Sequence, residues 1–108
     1  MTVSEAFEML PNVLNREAAA GMNKTFQWNI TGDEAGTWAF QLIDGVGKTI
    51  PGGVEKPDIT FTVNSKNWLA IIEGKLDPMK AFMTGKLKVA GDMTLAMKMS
   101  QLFPIQQQ

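Results

Sequence analysis

Thr25-Phe26-Gln27-Trp28-Asn29-Ile30-Thr31, the turn residues Gly32-Asp33-Glu34-Ala35-Gly36, and Thr37-Trp38-Ala39-Phe40-Gln41-Leu42 form the passage that decides the fold class. Phe26, Trp28 and Ile30 alternate with polar neighbours, and Trp38, Phe40 and Leu42 repeat the alternation after the turn. A period of two sends successive side chains to opposite faces of a strand, so a hairpin is predicted with its aromatic residues on one side. A sheet with one apolar face needs a cover, which the flanking segments must supply.

Downstream, Asp44-Gly45 is a second turn, and Lys48-Thr49-Ile50 is a short edge strand ended by Pro51-Gly52-Gly53. Ile59-Phe61-Val63 supplies the next strand, so the first part is predicted to be a meander of four strands. Upstream, Thr2-Val3-Ser4-Glu5 has the spacing of a capping box, and Phe7, Leu10 and Leu14 recur at helical intervals. Pro11 lacks an N–H and crowds the preceding turn, which predicts two short helical pieces rather than one, with a further turn over 15–20 ended by Gly21.

The second half reads as helices around one more strand. Ser65 is taken as the N-cap of a helix carrying Trp68, Leu69, Ile71 and Ile72, which Gly74 ends. Asp77-Pro78 opens another in the favoured order of cap, then proline, with Met79, Phe82 and Met83 on its buried face. Lys86-Leu87-Lys88-Val89 alternates as a fifth strand with a lysine-lined outer face, and Asp92 caps a last helix that runs to Phe103 before Pro104. The fold class is therefore α+β, a five-stranded, largely antiparallel sheet with helices packed on one face, in one domain over residues 1–108.

Composition narrows the chemistry. With no Cys and no His among 108 residues there is no disulfide, no thiol nucleophile, no Cys/His zinc site and no His-activated serine. Asp33, Glu34, Asp44 and Asp58 fall in turns, while Asp77 and Asp92 are caps, so no carboxylate is placed where burial would tune it for proton transfer. No catalytic residue, metal ligand or cofactor is expected. Gly45-Val46-Gly47-Lys48-Thr49 ends like a phosphate-binding loop, but Leu42 stands where that pattern needs its first glycine, and Pro51-Gly52-Gly53 follows where it needs a helix. The net charge of -1 gives no basic footprint for nucleic acid.

Charge is nonetheless uneven: Lys75, Lys80, Lys86, Lys88 and Lys98 are accompanied in that stretch only by Asp77 and Asp92. Such lysines ordinarily line a solvated face, and transient contact with an anionic membrane surface is the alternative. The N-terminus has Glu5 and Glu8 rather than a basic segment followed by an apolar one, so it does not read as a signal peptide. The longest apolar run, Trp68 to Ile72, is far short of the roughly 20 residues that span a bilayer. A cytoplasmic protein is the expectation.

The last helix is the informative one. Met93, Leu95, Ala96, Met97, Met99, Leu102 and Phe103 are apolar, and only Thr94, Lys98 and Gln101 form a polar stripe. Eight methionines in the chain, against no tyrosine, point to an adaptable apolar surface. The helix is either a core element or one wall of a ligand cavity or partner groove, and periodicity does not separate these.

Glu73-Gly74-Lys75-Leu76-Asp77-Pro78, Ala81-Phe82, Gly85-Lys86-Leu87-Lys88-Val89-Ala90-Gly91-Asp92 and Leu102-Phe103 together resemble the C-terminal signature of the sterol carrier protein-2 family, and Phe26 to Ile30 with Gly36-Thr37-Trp38 resemble its first hairpin. The resemblance implies a lipid carrier without chemical activity, holding a sterol, fatty acid or acyl-CoA in an apolar tunnel between sheet and C-terminal helix. Carried over residue by residue, it places Trp28, Trp38, Phe40 and Phe61 on the strands, Phe82 and Met83 on the middle helix, and Met97, Met99, Leu102 and Phe103 on the last helix as ligand-binding positions. The terminal Gln106-Gln107-Gln108 departs from the peroxisomal tripeptide of eukaryotic members, which suggests a stand-alone bacterial or archaeal homologue. An accessory module that uses the same groove to bind a partner protein or assist a lipid-modifying enzyme is the alternative. An empty tunnel of roughly 300 Å³ would cost about 7 kcal/mol at roughly 24 cal/mol per Å³, so it is expected to be filled or partly closed by methionine side chains.

Overall fold

The structure, a computed structural model, describes residues 1–104, and the reading of the terminal glutamines lies outside the described residues. Its elements are α1 (Val3–Val13), α2 (Arg16–Ala19), β1 (Asn23–Thr31), β2 (Gly36–Ile43), β3 (Val46–Pro51), β4 (Ile59–Asn64), α3 (Ser65–Ile72), α4 (Pro78–Met83), β5 (Leu87–Gly91) and α5 (Met93–Leu102). The five strands form one sheet in the order β3-β2-β1-β4-β5.

The hairpin has the expected register. Phe26 pairs with Phe40 and Trp28 with Trp38 across the antiparallel β1–β2 ladder, so all four rings share one face. At the β2–β3 turn Asp44 and Gly45 both have positive φ, 48° and 80°, the combination that matches strand twist in a two-residue hairpin. The would-be phosphate loop is thus a hairpin.

The four-strand meander is corrected. β4 does not pair with β3 but lies on the far side of β1 and runs parallel to it, with Trp28 opposite Phe61 and Ile30 opposite Val63. The chain between β3 and β4 crosses the open, polar face of the sheet. The Val54 N–H donates to Gln27 Oε1 at 2.7 Å, and the Thr25 N–H donates to Asp58 Oδ2 at 2.8 Å. Alternation identifies a strand but not its partner, and the side-chain acceptors that hold this crossover are not encoded in a periodicity. β5 then pairs antiparallel with β4, leaving the sheet mostly antiparallel.

Two local expectations also change. α1 runs through Pro11 instead of breaking there. Proline removes the N–H that would have bonded to the Phe7 carbonyl, and the Thr49 hydroxyl of β3 donates to that carbonyl instead, at 2.7 Å. The cap of α3 is Asn64, not Ser65: Asn64 Oδ1 accepts from the Asn67 N–H at 2.8 Å, and Ser65 is buried within the first turn. The capping box of α1 forms as expected, with the Thr2 hydroxyl accepting from the Glu5 N–H and Glu5 Oε1 accepting from the Thr2 N–H.

The helices cover one face. α1 packs on β3 and α3, α3 lies over β1 and β4, and α5 crosses β4 and β5. The tail end of α5 is tied to the start of α2 by the Asn15 N–H donating to the Leu102 carbonyl at 2.8 Å. Beneath them Phe7, Phe26, Trp28, Phe40, Leu42, Ile59 and Leu102 are essentially inaccessible to solvent. Burying each large side chain contributes about 1.5–3 kcal/mol, which makes this one layer the main stabilising element.

Candidate functional site

The apolar layer between sheet and helices divides into two parts. One is an aromatic stack at the α1–α3 end. Phe7 lies between Trp38 and Trp68, with centroids 5.0 and 4.9 Å away and near-parallel planes. Trp28 meets Phe7, Phe61 and Trp68, each at 5.4 Å. Such pairs contribute about 0.5–1.5 kcal/mol beyond their burial. The other part lies under α5, where Phe103 meets Phe40 edge-on at 5.3 Å, and Leu95 and Leu102 point to the sheet.

Of the residues singled out from the sequence, Trp28, Phe40, Phe61, Leu102 and Phe103 are buried in this layer, and Trp38 and Met99 are half-buried at its margins. Phe82, Met83 and Met97 are not in it. Phe82 is 41% exposed, Met83 79% and Met97 76%, and Met79 and Met93 are exposed as well. The expectation that Met79, Phe82 and Met83 form the buried face of α4 is therefore corrected. α4 lies along the edge strand β5 and buries only Ala81. Helical spacing marks an apolar stripe, but at a sheet edge nothing is present to cover it. Among the described residues, of the methionines of α4 and α5 only Met99 packs against the core, so the expected partial closure of a tunnel by methionine side chains rests on that one residue.

What results is an uncovered apolar margin. α4 packs on β5 and α5 on β4 and β5, and both leave large apolar side chains exposed: Met79, Phe82 and Met83 on α4, Met93 and Met97 on α5. Lys80, Lys86 and Lys98 are exposed on the same segments. Asp92, which caps α5 by accepting from the Thr94 N–H at 2.9 Å, is held below the ordinary carboxylate range, first by the Thr94 hydroxyl and then by that N–H.

Two clefts stand out elsewhere. One of about 240 Å³ is bordered by Val3, Glu34, Thr37 and Trp38, and one of about 430 Å³ lies on the polar face by Thr62, Asn67, Lys86 and Lys88. Neither opens between the sheet and α5. Among the described residues no His, Cys, Asp or Glu cluster could hold a metal ion, and no helix is long and apolar enough to cross a membrane.

Phe7 and Trp68 are the residues that sequence reading did not place at the site. Both were visible as apolar helical positions, but their stacking joins α1 to α3 across tertiary space. Trp68 carries a further oddity: its indole Nε1 is buried with no hydrogen-bond partner among the described residues.

A mixed five-stranded sheet, covered on one face by helices over a continuous aromatic layer, defines a small α+β domain with an apolar interior. The chain belongs to the SCP-2 sterol transfer family, whose model matches residues 5–104. That family places it among lipid-binding and lipid-transfer domains. It is 33% identical over 101 residues to "Hydroxysteroid dehydrogenase-like protein 2" of Xenopus tropicalis, a match covering 93% of this chain and 24% of the frog protein. Among solved structures, the sterol carrier protein domain 2 of Helicoverpa armigera is 31% identical with a TM-score of 0.78, over 92% of this chain and 83% of that one. Palmitated SCP2L2 of Aedes aegypti is 25% identical with a TM-score of 0.81, over 100% of this chain and 99% of that one. The chain thus spans about a quarter of the length of the curated relatives it matches first.

Proposed function

We propose that this chain binds one lipid molecule, a sterol, fatty acid, acyl-CoA or similar, and releases it unchanged. The lipid lies between the sheet and α5, against Trp28, Phe40, Phe61, Leu102 and Phe103, with Phe82, Met83, Met97 and Met99 closing over its outer part and Trp38 at the far margin. The observation that carries this reading is the exposure of five large apolar side chains on α4 and α5, helices that also help to cover the apolar face of the sheet. Leaving apolar area in water forgoes about 25 cal/mol per Å², and a lipid tail would recover it. Methionine suits such a wall because its unbranched side chain reorients readily around cargo of varying shape. The Aedes aegypti neighbour, solved palmitated, supports an acyl chain as one ligand.

Entry requires α5 to lift from β4 and β5. Lys80, Lys86 and Lys98 beside the apolar margin favour a transient encounter with an anionic membrane, where each lysine contributes about 1 kcal/mol. The test is melting of delipidated protein with added palmitate, together with native mass spectrometry of protein as isolated. At one hundred times Kd a ligand stabilises by about 2.7 kcal/mol, a rise of roughly 10 °C or more for a domain of this size. If no lipid co-purifies and palmitate, acyl-CoA and cholesterol all leave the Tm unchanged, the proposal fails.

A second reading has its own support: a domain of this fold makes up 17% of the sec-alkylsulfatase Pisa1 chain from Pseudomonas. In an accessory module the exposed margin would seat a partner protein or help a lipid-modifying enzyme. A stoichiometric protein complex that displaces no lipid would favour that reading.

A further inference from the structure

The one buried side-chain donor with no partner among the described residues sits in the aromatic layer itself. Trp68 is 4% exposed, and its Nε1–H meets no acceptor. A buried N–H normally finds a partner, and an orphan in a native fold calls for a specific explanation. An indole nitrogen is a donor only, so its missing partner is an acceptor.

We infer that Trp68 Nε1–H is the polar hook of the lipid site, and that it takes a neutral oxygen head: a hydroxyl, or an ester or ketone carbonyl. This rests on the lipid-binding reading above and adds to it the polarity of the cargo and its direction. A row of packed side chains links Trp68 to the edge strand β5. Trp68 meets Trp28 at 5.4 Å, Trp28 meets Phe61 at 5.4 Å, and Phe61 is in register with Val89 of β5. From β1 to β5 the row crosses two strand spacings of about 4.8 Å each, roughly 10 Å, well within the length of a long acyl or sterol body. The head lies inward at Trp68 and the tail leaves between α4 and α5.

Neutrality follows from what surrounds the hook. Among the described residues the buried polar side chains reduce to Ser65; no buried Lys or Arg accompanies Trp68. An ionised carboxylate drawn inside would have a single N–H donor and no counter-charge, whereas a hydroxyl or carbonyl oxygen is satisfied by one donor. A fatty acid therefore binds with its carboxylate outward, leaving the hook empty, and an alcohol of equal length binds head first.

The experiment uses the full chain labelled with 15N, delipidated, and titrated with hexadecanol, palmitate at pH 7 and hexadecane. Hexadecanol is expected to move the Trp68 indole 15N–1H resonance downfield, while hexadecane leaves it in place. Trp68→Phe removes the donor together with part of the ring, and is expected to weaken hexadecanol about fivefold to tenfold more than it weakens hexadecane, the worth of one net hydrogen bond. If Trp68→Phe does not fold, the resonance shift in the unaltered protein decides alone. Hexadecanol binding with an unmoved Trp68 resonance, or an equal loss of both ligands in Trp68→Phe, overturns the hook while leaving lipid binding intact. Failure of all three lipids to bind overturns the lipid reading, and the hook with it.

Discussion

Replacing Thr49 with valine isolates one hydrogen bond on which α1 depends. Pro11 deprives the buried Phe7 carbonyl of its helical partner, and the Thr49 hydroxyl donates to it across the α1–β3 contact at 2.7 Å. Valine has the same shape and suits a strand, so the substitution chiefly deletes the donor. Leaving a buried carbonyl unsatisfied costs about 1–3 kcal/mol, and because Thr49 is only partly buried the lower half of that range, about 1–2 kcal/mol, applies. At roughly 4–8 °C per kcal/mol the Tm should fall by about 5–15 °C. The control is Pro11→Ala, which restores a backbone N–H four residues after Phe7. In that background Thr49→Val should cost under about 0.5 kcal/mol, giving a coupling of about 1 kcal/mol in a double-mutant cycle. Urea unfolding followed by tryptophan fluorescence and circular dichroism, with unchanged m-values, supplies the four free energies. Equal costs of Thr49→Val in both backgrounds would show that the hydroxyl does not substitute for the missing amide.

Other outcomes follow from particular residues. Serine at both Met83 and Met97, each largely exposed, should change stability by less than about 0.5 kcal/mol yet sharply reduce the palmitate-induced rise in Tm; an undiminished rise would remove these side chains from the site. Gly91→Ala should destabilise by about 2–3 kcal/mol in urea, because φ is 112° and a Cβ would stand 2.6 Å from the Asp58 carbonyl oxygen, which is backbone and cannot swing away. The lowered Asp92 pKa means that the cap's contribution is present above the ordinary carboxylate pKa and is lost as pH falls through the folded value. Protection factors of the amides in the first turn of α5, corrected for the intrinsic pH dependence of exchange, should therefore fall in acid, and Asp92→Asn should flatten that dependence. Reversing Lys80 and Lys86 to glutamate should weaken association with phosphatidylserine vesicles more than tenfold at low salt, with no effect on neutral vesicles; an equal effect on both would exclude electrostatic docking.

Local rules carried far along this chain. The Thr2 capping box, the Asp44-Gly45 turn, the Asp77-Pro78 start and the Asp92 cap each depend on two to four neighbouring residues, and each forms as read. The departures share a different cause. Pro11 stays inside a helix because Thr49, 42 positions from Phe7, supplies the missing partner. β4 runs parallel to β1 after a crossover whose Val54 N–H is held by the Gln27 side chain and whose Asp58 side chain accepts from the Thr25 N–H, contacts that alternation does not encode. In each case a contact distant in sequence overrides a sound local preference.

The site was legible to different depths for the same reason. Burial of Trp28, Phe40 and Phe61 follows from strand alternation, because the helices cover the whole face on which these residues lie. For Phe82, Met83 and Met97 the stripe is equally regular, but α4 lies along the edge strand β5, where the sheet ends and cover runs out, and Met97 is left exposed on α5 with no further layer over it among the described residues. Apolar spacing reports a side chain's need to leave water, not whether the fold meets that need. In a structural protein the two coincide, and an apolar stripe left open at a sheet edge would be a liability for aggregation. Here the exposed stripe accompanies an aromatic layer that holds a donor without a partner among the described residues. An apolar margin and an unpaired buried N–H are each unfavourable in water, and a molecule with a long apolar body and one oxygen relieves both at once.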